Sequence, residues 1–294
     1  MKELKKVAAK KYKPFLVMKY KISENIKIEF GDCRKLIKSL EDESVAMTVT
    51  SPPYNLQKNY GTYKDDVSLE KWEALISEIG KEVYRVLKPN GSFFLNVSPI
   101  PDKKTKEIIP LDSVAYYLMK KQGFHLRNKI IWHFNNMQNC VNRLSGRWEA
   151  VLWFVKDIDN YVFNLEEIRV PYITKNDKRL EGGIGRNPTD VWNIDNSESD
   201  FWYFNRVNNM TKNKMGLTEH PCIYPLSMIE RIIKMSTNIG DTVLDPFLGS
   251  GTTVVAAHKL DRKGIGFELD QKFDEIIQKR LKQEAVINGY KLFT

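Results

Sequence analysis

The chain predicts an α/β fold, a doubly wound and mostly parallel sheet, on three observations. Short strand-like runs alternate with helical periodicities along most of its 294 residues. Two strands end in corners of unusual composition, "TSPPYNL" at 50–56 and "DPFLGSGTT" at 245–253. One stretch, 157–217, breaks the alternation and is rich in Asn, Asp, Gly and aromatic residues.

"NIKIEFGDC" (25–33) alternates apolar and polar residues before a Gly-Asp turn and reads as a strand; "SVAMTVT" (44–50) is a second, more buried one. "RKLIKSLED" between them reads as a short helix. From Ser68, a good N-cap, Leu69, Trp72, Leu75, Ile76, Ile79, Val83 and Val86 recur at helical spacing until "KPNG" stops the run. Strand "SFFLNV" (92–97), a helix near 112–122 and strands near 127–133 and 149–155 follow. After the irregular stretch come a helix at 225–238, strand "DTVLD" (241–245), a helix from Thr252, strand "KGIGFEL" (263–269) and a closing helix at 271–288. This divides the chain into a basic segment 1–21, a first α/β half 22–156, an insert 157–217 and a second α/β half 218–294.

Composition narrows the function. No apolar run approaches the roughly 18 residues of a membrane span, and the lysine-rich start lacks a signal-peptide core, so a cytoplasmic, nucleoid-associated protein without a membrane partner is expected. Cys33, Cys140 and Cys222 are far apart and form no C-x-x-C pair, which argues against a disulfide framework and a metal site. The net charge is +9; residues 1–21 hold eight lysines against one glutamate, and residues 102–147 hold nine Lys/Arg against three acids. A polyanionic partner is permitted by that balance, though solvated surface explains each excess equally well.

Both corners have a chemical reading. Neither Pro52 nor Pro53 can donate to a β ladder, so the chain leaves the sheet at Ser51 with fixed φ angles and exposed carbonyls. At the second corner Gly249, Ser250 and Gly251 let a ligand approach the backbone, and the amides of the following helix favour negative groups. No lysine follows the glycines, which excludes a P-loop, and the full G-x-G-x-x-G pattern is absent. About twenty residues on, Glu268 and Asp270 lie at the tip of the next strand, where ribose hydroxyls fall in a doubly wound sheet; Asp245 is placed to hold an ammonium group. An adenosine carrying an amino acid satisfies this set.

"DPFLGSGTT" together with "TSPPYN" resembles the DNA amino-methyltransferases of bacterial restriction and modification systems, which use S-adenosylmethionine. The "PPY" motif precedes "GSG", as in the circularly permuted beta-class, and "GDC" (31–33), "GRWEAVLWFVK" (146–156), "DVWNI" (190–194) and "HPCIYPLSMIERII" (220–233) also match family segments. The resemblance implies a Rossmann-like methyltransferase fold and a catalytic corner formed by Ser51, Pro52, Pro53 and Tyr54. The Ser51 side chain and the Pro52 carbonyl would bind the exocyclic amine of a base swung out of duplex DNA, and Tyr54 would stack on that base, which makes Tyr54→Phe a mild change. It implies cofactor contacts from Asp245, Pro246, Phe247, Gly249, Ser250, Gly251, Thr252, Glu268 and Asp270, with Asp32 at the adenine ring.

Ser-Pro-Pro favours cytosine N4 over adenine N6; RNA or protein methylation, or a catalytically silent DNA-binding protein, are remoter readings. Arg169, Lys175, Lys178, Arg179 and Arg186 in the insert, with the aromatic "FWYFNR" (201–206), are the expected DNA contacts, and the resemblance leaves a cognate restriction endonuclease open as a partner. Cys222, in a Pro-Cys pair that resembles the nucleophile of cytosine-C5 enzymes, reads as structural because direct methyl transfer to an amine needs no thiolate.

Overall fold

The computed structural model describes residues 19–54, 59–60, 63–64, 67–102, 104–134, 140–170, 185–192 and 225–284. Its strands are β1 (Lys19–Ser23), β2 (Ile26–Phe30), β3 (Val45–Thr50), β4 (Asn59–Tyr60), β5 (Tyr63–Lys64), β6 (Leu87–Val97), β7 (Ile100–Pro101), β8 (Ile108–Ile109), β9 (His125–His133), β10 (Trp148–Val155), β11 (Val191–Trp192), β12 (Thr242–Asp245) and β13 (Lys263–Glu268). The helices are α1 (Cys33–Leu36), α2 (Leu69–Val86), α3 (Leu111–Lys121), α4 (Leu226–Ser236), α5 (Thr252–Lys259) and α6 (Asp274–Glu284).

Nine strands form one sheet in the order β1-β2-β13-β12-β3-β6-β10-β9-β11, while β4-β5 and β7-β8 are small separate hairpins. The pairs β2-β13, β13-β12, β12-β3, β3-β6 and β9-β11 are parallel; β1-β2, β6-β10 and β10-β9 are antiparallel. The chain leaves β12 toward β13 on one side and β3 toward β6 on the other. The order therefore reverses between β12 and β3, where a doubly wound sheet opens its ligand crevice.

Both faces are covered, which is why the central strands are apolar throughout. All six residues of β3 are buried. Trp72, Ile76, Ile79, Val83 and Val86 of α2 pack with Ala115 and Met119 of α3 on Phe93, Leu95 and Val97. The opposite face holds Met228, Ile229, Ile232 and Ile233 of α4 and Ala256 and Ala257 of α5, against Met47, Val49 and Phe94. Val254, Val255, Ile277 and Leu281 continue that cover over β2. Ser68 caps α2 as its sequence predicts, its side chain accepting from the Lys71 amide at 3.4 Å.

The boundaries differ from expectation in four places. "RKLIKSLED" is the single turn α1 followed by a 3-10 turn Ile37–Ser39, not a continuous helix. "KPNG" ends α2 but lies inside β6; a Cβ at Gly91 would meet the Lys88 and Ala46 carbonyls at 2.9 and 3.0 Å, so only glycine passes there. The basic segment runs into β1, an antiparallel edge strand. The closing helix starts as a 3-10 turn (Gln271–Phe273), with α6 described to Glu284.

The described ends of 157–217 belong to the main body. Asn164 donates to the Lys234 and Thr237 carbonyls at 3.1 and 2.8 Å, Arg231 donates to the Ile168 carbonyl at 2.6 Å, and β11 extends the sheet beside β9. No helix among the described residues is long and apolar enough to cross a membrane.

Candidate active site

The register brings the ends of β2, β13, β12, β3 and β6, and the start of β10, to one edge of the sheet: Glu268 pairs with Phe30, Thr50 with Leu95, and Val97 with Ala150. Both unusual corners lie there, on adjacent strands. They are joined directly, because Thr50 Oγ1 donates to Asp245 Oδ1 at 2.6 Å.

At the first corner β3 stops at Thr50 and the chain turns through Ser51, Pro52, Pro53 and Tyr54. Pro52 and Tyr54 are buried, Ser51 and Pro53 half-buried. The indole of Trp72 donates to the Pro53 carbonyl at 2.8 Å and ties the corner to α2. Ser51 Oγ donates to Tyr54 Oη at 2.6 Å, and Tyr54 Oη donates to Glu149 Oε2 at 3.1 Å. Asn96 Nδ2 donates to Tyr54 Oη at 2.5 Å and to Glu149 Oε2 at 2.7 Å. Asn96, near the end of β6, and Glu149, at the start of β10, are members that sequence reasoning missed.

Tyr54 departs from its expected surroundings. Its ring is 7% exposed and packs in the α2-side core, and its hydroxyl is held by three polar neighbours. A base stacking on it must enter against that packing. Removing the hydroxyl would break the Ser51–Tyr54–Glu149 links and leave Asn96 Nδ2, 3.5 Å from Ser51 Oγ, as the remaining bridge, so Tyr54→Phe is expected to cost more than the sequence suggests.

The second corner is built on positive-φ glycines, Gly249 at 55° and Gly251 at 84°, a conformation that favours glycine. Asp245 is fully buried. Thr253 Oγ1 donates to its second oxygen at 2.6 Å, and the Phe247 amide to Oδ1 at 3.1 Å. Burial pushes its carboxyl up to about 6 against the pull of these bonds. With both oxygens bonded inside the protein, Asp245 fixes the turn and couples the two corners. An ammonium group would have to share an oxygen with Thr50 or Thr253.

Glu268 receives the Gly249 amide at 2.8 Å and the Asp270 amide at 2.9 Å, and burial pushes its carboxyl up to about 7. Asp270 accepts from the Lys272 amide at 3.1 Å, a cap for the following 3-10 turn. Asp32 caps α1 and is gripped by the Arg34 guanidinium, whose hydrogen bonds hold its carboxyl below the usual range. Pro246, Ser250, Gly251 and Thr252 are buried and Phe247 half-buried. Arg280 of α6, only 2% exposed, clamps the turn, with one nitrogen donating to the Ser250 carbonyl, Ser250 Oγ and Thr252 Oγ1 at 3.2, 2.9 and 2.6 Å.

The expected DNA contacts are less gathered. Arg169 is held by Glu166 through two 2.8 Å bonds and by Asn187 Oδ1 at 2.7 Å, and Arg186 exchanges backbone bonds with Val170. Lys175, Lys178, Arg179, the 201–206 aromatics, His220 and Cys222 lie outside the described residues. Arg143 and Arg147 are exposed between β9 and β10, toward the edge of the sheet that carries both corners.

The chain is similar to known DNA methyltransferases over most of its length. It is 32% identical to the type II methyltransferase M.ScaI of Streptomyces caespitosus over 90% of this chain and 84% of that one. It is 30% identical to the DNA adenine methyltransferase YhdJ of Escherichia coli over 85% and 81%. Among solved structures, the cytosine-N4-specific PvuII DNA methyltransferase superposes with a TM-score of 0.66 at 23% identity, over 91% of this chain and 88% of that one. The M1.HpyAVI–SAM complex superposes with a TM-score of 0.57 at 25% identity, over 87% and 98%. Residues 45–279, spanning both corners, match the model described as DNA methylase, and the chain belongs to that N6/N4 DNA methyltransferase family.

Proposed function

We propose that this protein is a site-specific methyltransferase that methylates the N4 amine of cytosine in duplex DNA. Ser51 carries the choice of base. A hydroxyl, not a carboxylate, opens the proline corner at the end of β3, one strand from the glycine corner. A carboxylate stabilises a developing cationic amine more than a hydroxyl does, and serine is commoner in the cytosine-N4 members that the motif resembles. The proline corner preceding the glycine corner supports the permuted, beta-class order.

The cofactor is S-adenosylmethionine, which supplies an electrophilic methyl group when bound. The residues fit it: Glu268, half-buried beside the Gly249 turn, offers carboxylate lone pairs to ribose hydroxyls, and Asp32 at the end of β2 lies on the adenine side. Ser51 and the Pro52 carbonyl accept from the target amine and aim its lone pair, a preorganised arrangement that needs no reorientation during transfer. The base must leave the stack to reach them. Arg143 and Arg147 at the same edge give the phosphate backbone a counter-charge. Sequence recognition is assigned to the 157–217 segment. Relatives such as M.ScaI, named a type II methyltransferase, support a restriction–modification setting with a cognate endonuclease.

The relative named an adenine methyltransferase at 30% identity favours adenine N6 as the second reading. Both are tested by methylating random-sequence duplex DNA and analysing the digested nucleosides by mass spectrometry. N4-methylcytosine is the expected product. N6-methyladenine would reverse the base assignment, and unmodified DNA would overturn the activity.

A further inference from the structure

The polar cluster beneath the Ser-Pro-Pro-Tyr corner has one consistent direction of hydrogen bonding. The Asn96 amide nitrogen faces Glu149 Oε2 at 2.7 Å, since an amide oxygen there would meet a carboxylate lone pair. Its second proton goes to Tyr54 Oη at 2.5 Å. Tyr54 must then give its own proton to the carboxylate, 3.1 Å away, and take the Ser51 proton at 2.6 Å. Ser51 Oγ, which Asn96 Nδ2 approaches only to 3.5 Å, keeps a lone pair for an incoming N–H. The middle of this chain is dry, with Asn96 2% and Tyr54 7% exposed, whereas Glu149 is half-buried.

Resting on the amino-methyltransferase reading above, we infer that Glu149 is the terminal proton acceptor of the reaction, reached from the target amine through Ser51 and Tyr54, with Asn96 as a positioning residue. An amine that has gained a methyl group carries one proton too many and is a strong acid. A neutral serine cannot keep that proton unless it passes its own along. The N–H bond breaks with its electron pair staying on nitrogen. Ser51 Oγ takes the proton while giving its own to Tyr54 Oη, which gives its own to Glu149 Oε2. Three bonds to hydrogen break and three form, serine and tyrosine end neutral, and the carboxylate becomes a carboxylic acid that water can discharge. The negative charge thus acts on the amine without sitting against it, which accounts for a serine at this corner.

The test compares wild type with Glu149→Gln, Glu149→Gly and Tyr54→Phe in single-turnover methyl transfer, with S-adenosylmethionine and DNA affinities measured separately. General-base loss predicts rates about 10²-fold lower or more in each variant, with affinities of Glu149→Gln within about twofold of wild type. Added formate should restore Glu149→Gly saturably, which a structural role would not allow. In ligand-free protein labelled at tyrosine ζ carbons, the Tyr54 hydroxyl proton should be protected from exchange and should shift in Glu149→Gln. Undiminished transfer by Glu149→Gln, no formate rescue, or a freely exchanging Tyr54 hydroxyl would each overturn the relay while the methylated product still forms. A wild type that leaves no methylated base on DNA would overturn the underlying reading, and the relay with it.

Discussion

Trp72 shows how one side chain ties the proline corner to the scaffold. Its ring is 1% exposed in the α2 interface, where such burial contributes roughly 1.5–3 kcal/mol, and its indole N–H holds the Pro53 carbonyl at 2.8 Å. Trp72→Phe keeps most of the packing and removes the donor. Stability measured by urea unfolding should fall by about 1–3 kcal/mol, and turnover should fall further than that loss explains because Pro52 and Ser51 are no longer held. Wild-type turnover in a folded Trp72→Phe protein would show that the bond only stabilises. The helical spacing of Trp72 announces burial, but its tie to Pro53 spans 19 residues and cannot be inferred from periodicity. Asn96 and Glu149 are similar: their partners lie 42 and 95 residues away. The one local signal is a polar residue in each of two otherwise apolar strands, "FFLNV" and "WEAVLWFV".

Among elements, those whose residues declare both a period and a stop were legible, as Ser68 and the apolar face of α2 illustrate. The elements missed draw their structure from neighbours. β1 is lysine-rich and becomes a strand only by pairing with β2, and Pro89, Asn90 and Gly91 form an irregularity of β6 between Leu87, opposite Val45, and Ser92, opposite Met47, where the Val162 and Lys156 amides bond to the Asn90 and Gly91 carbonyls. The glycine turn was legible from its composition, whereas its anchor was not: Arg280 lies in "DEIIQKRLKQE", where it resembles the other exposed charges, yet it is buried under the turn with Ser250 and Thr252. Arg280→Met preserves length and apolar contact but leaves the Ser250 carbonyl without that donor. Loss of charge-assisted bonds should cost about 1.5–3 kcal/mol in unfolding experiments. Calorimetry should show S-adenosylmethionine binding at least tenfold weaker, with non-specific DNA affinity unchanged. Unaltered cofactor affinity would mean that the turn holds its shape without the clamp.

At the scale of the molecule, the buried Asp245 and the half-buried Glu268 at the crevice link stability to ligand binding through pH. Burial pushes Glu268 up to about 7 and Asp245 up to about 6, both above their ordinary values of 4.5 and 3.8. Folded protein therefore retains protons that the unfolded chain has released, so this part of its stability is fully present below about pH 4 and is lost as pH rises through 6 to 7. Asp32 works in the opposite sense, since Arg34 lowers its value and that contribution disappears only in acid. In the proposed site, ribose hydroxyls would donate to the ionised form of Glu268, so cofactor affinity should rise between pH 6 and 8, by at most about tenfold per pH unit. The ligand-free melting temperature should fall over the same interval, and the gap between the curves with and without S-adenosylmethionine should widen. Glu268→Gln carries no titrating group there; it should bind the cofactor weakly and flatten both trends, leaving the smaller Asp245 effect near pH 6. A cofactor affinity that stays constant from pH 6 to 8 in the wild type would remove Glu268 from the ribose site.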